Sequence, residues 1–135
     1  MNTTLAIVAV VILLVLVLGS GWLLRRRPKG LNRAYYQERW QTLQGLCADK
    51  STWPLAVIDA DKLLDEALKR SRYRGKTMGE RLVSAQRDIK SNDEVWFGHK
   101  LRNRLVHETN VKLTKRDVKD ALLGIRGALK DLGAL

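Results

Sequence analysis

Residues 51–71 read STWPLAVIDADKLLDEALKRS, and this stretch decides the fold class. Val57, Ala60, Leu64, Ala67 and Leu68 recur at helical spacing and make one apolar stripe, with charged residues on the other faces. Ser51 or Thr52 is placed to cap the helix, Pro54 is tolerated in a first turn, and Gly75 supplies an end. Asp59 and Asp61 flank Ala60, yet they point ~200° apart on a helix and do not form a paired carboxylate site. Asp61 lies nearer the stripe, within reach of a neighbouring helix.

The same period continues in both directions. Upstream, Tyr36, Trp40, Leu43 and Cys47 line one face of a helix predicted over about 32–49. Downstream, Thr77 and Glu80 form a capping box ahead of Met78, Leu82, Ala85 and Ile89, which predicts a shorter third helix. Ser91 and Glu94 repeat the box and open a fourth helix over about 92–108, with an apolar arc of Val95, Leu101, Leu105 and Val106. Thr114 caps a fifth helix whose stripe is Val118, Leu122, Ile125, Leu129 and Leu132. No segment alternates with period two. The expected fold class is therefore all-α, with residues 32–135 forming a compact five-helix up-and-down bundle.

Ahead of this domain, Leu5 to Leu24 reads LAIVAVVILLVLVLGSGWLL, uncharged throughout. A helix of ~20 apolar residues crosses a bilayer core. A secretory signal carries its positive charge before a run of about 7–15 apolar residues. Here only Met1, Asn2, Thr3 and Thr4 precede a longer run, and the charge follows it as Arg25, Arg26, Arg27 and Lys29. Basic flanks stay cytoplasmic. We expect residues 1–24 to be a single-pass anchor in the cell's inner membrane, with the N-terminus outside and Trp22 near the interface. Residues 25–31, with Pro28 and Gly30, form a basic juxtamembrane linker to a cytoplasmic domain.

The chain carries 25 Lys and Arg against 14 Asp and Glu, a net charge of +11. Such an excess suits an anionic partner, either nucleic acid or the anionic leaflet. Lys69, Arg70, Arg72, Arg74 and Lys76 concentrate it around Tyr73, as candidate contacts for RNA phosphates or lipid headgroups. The bland alternative is favourable interaction with a helix C-terminus and simple solubility. Cys47 is the only cysteine, so no intrachain disulfide forms. One Cys and two His without ligand spacing fall short of a zinc set, and we predict neither a metal nor another cofactor. No Gly-rich phosphate loop is present. Trp40, Trp53 and Trp96 read as core or interface anchors.

The chemistry-bearing segment is residues 99–108, HKLRNRLVHE. An Arg followed by a polar residue, with a His a few residues on, late in a helical domain, resembles the motif of the HEPN superfamily. Its two defining positions fall on Arg102 and His107. The helix order, the stretch AVIDADKLLDEALK and the closing helix extend the likeness over most of residues 32–132. The resemblance implies a metal-independent endoribonuclease acting as a homodimer, in a family that also contains inactive binding modules.

The residues support such chemistry on their own terms. RNA is cut by its own 2′-OH once that proton is removed and the leaving 5′-oxygen is protonated, and histidine titrates in the right range for either step. A guanidinium fork stabilises charge building on phosphoryl oxygens. Asn103 and Glu108 are candidate auxiliaries. On one straight helix, however, Arg102 and His107 point about 140° apart. Either the helix ends early or a second copy contributes. His99, Asn103 and His107 form a polar stripe through which a twofold dimer would bring two His107 side chains to one cleft. The competing expectation is a non-enzymatic, membrane-tethered dimerisation or adaptor module. In that reading Arg102 pairs with Asp59, Asp61 or Glu108, His107 is an ordinary helix-end residue, and His99 is structural.

Overall fold

The computed structural model describes residues 3–25 and 30–135, with the side chains of 3–20 and 30–135. The collar residues Arg26, Arg27, Pro28 and Lys29 lie outside the described residues, as do the side chains of Trp22 and Arg25. The first helix, α1 (Thr3–Arg25), is long and apolar enough to cross a membrane by length and composition. Its Leu, Ile and Val side chains from Leu5 to Leu18 are exposed. Among the described residues the chain is all-helical, without strand.

Helix α2 (Arg33–Gly45) starts where the Asn32 side chain accepts the Tyr35 N–H at 3.2 Å. It is shorter than its apolar pattern predicts. Past Gly45 the chain tightens into two 3₁₀ turns, Leu46–Ala48 and Lys50–Thr52, separated by an extended Asp49. Side chains hold this corner: Asp49 accepts from the Ser51 N–H at 2.8 Å, and Trp53 Nε1 donates to the Cys47 carbonyl at 3.0 Å. Local polar bonds thus outcompete continuation of the helix.

Helix α3 (Trp53–Arg70) is the hub and packs against α2, α4 (Met78–Ala85), α5 (Asn92–His107) and α6 (Lys115–Asp131). Its predicted stripe is fully buried, joined by Ala56, Leu63 and Asp61. The core places Tyr36 and Trp40, Leu64 and Leu68, Leu82, Val95, and Ile125 and Leu129 in one cluster. A second cluster joins Val57, Leu101, Val118 and Ala121.

Capping departs from expectation at three of four sites. Thr52 stands at the N-cap of α3 but makes no side-chain cap. Thr77 Oγ1 accepts from the Glu80 N–H, but Glu80 returns its carboxylate to the Lys76 N–H at 2.6 Å rather than to Thr77. Ser91 makes no side-chain cap; Asn92 Nδ2 instead donates to the carbonyls of Gln86 and Ile89 and ties off the end of α4. Only Thr114 forms a reciprocal box, with Asp117.

Helices α5 and α6 share the most extensive interface and run antiparallel, with Glu94 against Gly124 and Gly98 against Ala121 and Ile125. The approach needs glycine at 124 and is tight at 98. A Cβ on Gly98 would lie 3.0 Å from the Ala121 carbonyl oxygen, and one on Gly124 would meet the Glu94 backbone. Val106, expected in the α5 apolar arc, is instead 46% exposed, because the core-facing side of α5 is centred on Val95, Gly98 and Leu101. What borders that side is polar, and it makes the site.

Candidate functional site

Four side chains from two helices form a ring of three hydrogen bonds and one ion pair. Asp61 on α3 and His99 on α5 are 2% and 8% exposed, and His99 Nδ1 lies 3.0 Å from Asp61 Oδ1. His99 Nε2 lies 3.3 Å from Asn103 Nδ2 one turn on, and Asn103 Oδ1 accepts from Arg102 Nη1 at 3.0 Å. Arg102 Nε faces Asp61 Oδ2 at 3.6 Å, an ion pair without a formed hydrogen bond, and that buried Nε has no hydrogen-bond partner among the described residues. One assignment of hydrogens satisfies the ring: a neutral His99 donates from Nδ1 to the carboxylate and accepts at Nε2 from the amide, whose oxygen then faces the guanidinium. Trp96 packs edge-on against the imidazole, 5.8 Å between centroids.

Burial raises the Asp61 carboxyl above the ordinary carboxylate range, although the bond from His99 and the charge of Arg102 pull the other way. A second ion pair stands alongside it. Arg81, itself buried, grips Asp65 through Nε at 2.7 Å and Nη2 at 3.0 Å, and donates from Nη1 to the Gly75 carbonyl at 2.8 Å. Burial raises the Asp65 carboxyl, but the bonds from Arg81 and Lys69 outweigh it and hold the group below the ordinary range.

These pairs floor an open pocket of about 390 Å³ lined by Asp61, Lys62, Asp65, Thr77, Met78, Gly79, His99, Arg102 and Asn103. Arg102, its side chain 29% exposed, faces Asp61 through Nε and donates to Asn103 through Nη1, while its Nη2 makes no hydrogen bond among the described residues. Nη2 is the donor left for an oxyanion entering the pocket.

The sequence-predicted residues separate here. Arg102 and Asn103 line the pocket. His107 is the last residue of α5, exposed and outside the pocket lining. Glu108 caps α5 and pairs with Arg104 at 3.4 Å. The basic group divides too: Lys69 bridges to Asp65 at 2.9 Å, and Arg70 to Glu66 at 3.1 Å with its guanidinium 5.9 Å from the Tyr35 ring. Arg72, Arg74 and Lys76 are exposed on the loop that enters the pocket rim at Thr77. That loop is pinned, with Arg72 in the left-handed region (φ 63°), Tyr73 donating to Asp88 at 2.7 Å, and Arg81 holding Gly75.

Sequence reasoning read His99 as structural, and it is buried in the ring between Asp61 and Asn103. Its signal was the four-residue spacing to Asn103, but its partner Asp61 is 38 residues away. Among the described residues no three His, Cys, Asp or Glu side chains cluster as a metal site would require. Comparisons with protein-family models, curated proteins and solved structures gave no match to the chain.

Proposed function

We propose that this chain is a membrane-anchored, HEPN-like domain that binds RNA and cleaves it without metal, working as a homodimer. The observation that carries this reading is the partly exposed guanidinium of Arg102 in an open pocket whose rim continues into the Arg72–Lys76 basic loop. The apolar α1 and the Arg25–Lys29 collar support a bilayer-spanning anchor with the domain on the cytoplasmic side. The loop cations track the backbone by phosphate contacts, and Arg102 takes the scissile phosphate. One His107 imidazole accepts the 2′-OH proton as that oxygen bonds phosphorus. The P–O5′ bond breaks, and a second, protonated His107 gives its proton to the leaving oxygen. The products are a 2′,3′-cyclic phosphate and a 5′-OH end.

Because α5 is one continuous helix from Asn92 to His107, Arg102 and His107 of one chain diverge by about 140° around its axis. The two His107 at one phosphate come from both copies, so at least one of them is not from the copy that supplies Arg102. The test uses the full chain in detergent micelles with RNA and a chelator, and reads cyclic phosphate ends. The parent produces them, and Arg102→Ala and His107→Ala each abolish them. An equimolar mixture of the two variants stays inactive, because a mixed dimer holds a single His107 and the reaction needs two. Undiminished cleavage by His107→Ala, or no cleavage by the parent, removes the nuclease reading.

A second reading has its own observation. Arg102 is already engaged by Asp61 and Asn103 within one chain while His107 lies outside the pocket, an arrangement that also serves a non-enzymatic tethered adaptor. That reading predicts a dimer without cleavage.

A further inference from the structure

A groove separate from the Arg102 pocket lies between the end of α2, the start of α3 and the outer face of α6. It encloses about 340 Å³, and its walls are mainly apolar, with Cys47, Trp53, Leu122 and Leu123 among them. Leu123 is 53% exposed, an unusual position for leucine on a helix whose core stripe is complete without it. The rim has one sign of charge. Lys115, Lys119 and Arg126 line the groove, all exposed, and none pairs with a carboxylate among the described residues. The acids of α6 nearby are committed elsewhere, Asp117 to the Thr114 cap and Asp120 to Arg116 at 3.6 Å, and no acid lines the groove.

We infer that this groove docks an acidic amphipathic helix of a partner protein, its apolar side chains entering between Trp53 and Leu122 and its carboxylates meeting Lys115, Lys119 and Arg126. The geometry fits that occupant. Positions 115, 119, 122 and 126 fall at i, i+4, i+7 and i+11, so the apolar strip and its cations run along one side of α6 for ~16 Å, about three helical turns. Charge complementarity at this rim favours a separate acidic partner over the alternatives within the chain. The segment Arg25–Lys29 is itself basic, and a second copy brings a net charge of +11 to a cationic rim. Shape argues against a bilayer: a lipid surface is engaged by protruding apolar side chains, whereas these walls are concave.

The experiment uses the full chain in phosphatidylcholine nanodiscs and a fluorescent helical peptide of about 18 residues, with Leu at i, i+3 and i+7 flanked by Glu. The expected result is saturable binding, seen by anisotropy, that slows maleimide modification of Cys47, the chain's only thiol. Binding weakens with salt. It falls about tenfold or more in the Lys115→Glu, Lys119→Glu, Arg126→Glu variant and when Lys replaces Glu in the peptide. Leu123→Asp, at an exposed position, is a second variant expected to weaken it. The double Arg102→Ala, His107→Ala variant binds as the parent does, which keeps this inference distinct from the nuclease reading. Equal binding of the Glu and Lys peptides overturns the inference, as does indifference to the triple reversal. Protection of Cys47 by phosphatidylglycerol nanodiscs or by RNA, with no peptide present, overturns it as well by assigning the groove to lipid or nucleic acid.

Discussion

The α5–α6 crossing makes one substitution act with opposite sign at two places on the same helix. At Gly124 a new Cβ would stand 2.5 Å from the Glu94 carbonyl carbon and 3.0 Å from Glu94 Cβ, with the Glu94 oxygen nearer still. Carbon atoms at rest sit roughly 3.5–4.0 Å apart. The overlap is therefore about 1 Å, and two of the three atoms in the way belong to the backbone of α5, so no flexible side chain yields. Overpacking of this kind costs ~1–3 kcal/mol, and a backbone obstacle argues for the upper end. Replacing Gly by Ala within a helix returns about 1 kcal/mol. Gly124→Ala should thus lose about 2 kcal/mol. At Gly127 nothing lies within 4 Å of the same Cβ, so Gly127→Ala should gain about 1 kcal/mol. For a domain of this size the pair should straddle the parent melting temperature by roughly 10 °C below and 5 °C above. Urea and thermal unfolding followed by circular dichroism measure both. Shifts of the same sign, or an unaffected Gly124→Ala, would refute the close crossing. Gly124→Ala also displaces α5, which carries His99, Arg102 and Asn103.

Asp61→Ala should cost about 3 kcal/mol, the low end for breaking a buried pair because Arg102 keeps 29% of its side chain in solvent. A loss below about 1 kcal/mol in urea unfolding would show that the ring contributes little to holding α3 on α5. Stability should also depend on pH through Asp65. Its depressed folded value means that its contribution is present above the ordinary carboxylate value of about 3.9 and disappears as pH falls through the folded one. The stability gap between the parent and Asp65→Asn should then be widest above about pH 5 and close in stronger acid, and a gap independent of pH would contradict the Arg81 grip. Asp61 has the opposite sign: with its value raised, protonation in acid favours the fold and offsets part of that loss.

The helices were legible where one stripe ran unbroken: α3 buries every residue its period selects, and α6 all of them but Leu122, which is half-buried. Legibility failed where short polar side chains compete with the backbone. Asp49 and Thr52 stop α2 before its pattern ends, and Asn92 takes the capping role that Ser91 was expected to fill. The Arg102–Asp61 pair was readable as one of several options, because Asp61 sits beside an apolar stripe and has to find a cation on a facing helix. The partner of His99 was not, since spacing within α5 says nothing about which side chain of α3 stands opposite. The division of the basic group follows from Asp65 and Glu66 lying four residues before Lys69 and Arg70, which leaves the cations after the helix end exposed.

Only one placement of protons suits all four members of the Asp61–His99–Asn103–Arg102 circuit, so the circuit has a direction. Adding a proton at His99 Nε2 sets two donors face to face, and the Asn103 amide has to turn over, presenting its own donors to the guanidinium. The imidazole nitrogens of one residue therefore report which way the Asn103 amide faces the arginine, and nitrogen magnetic resonance of His99 offers a view of the pocket that requires no substrate.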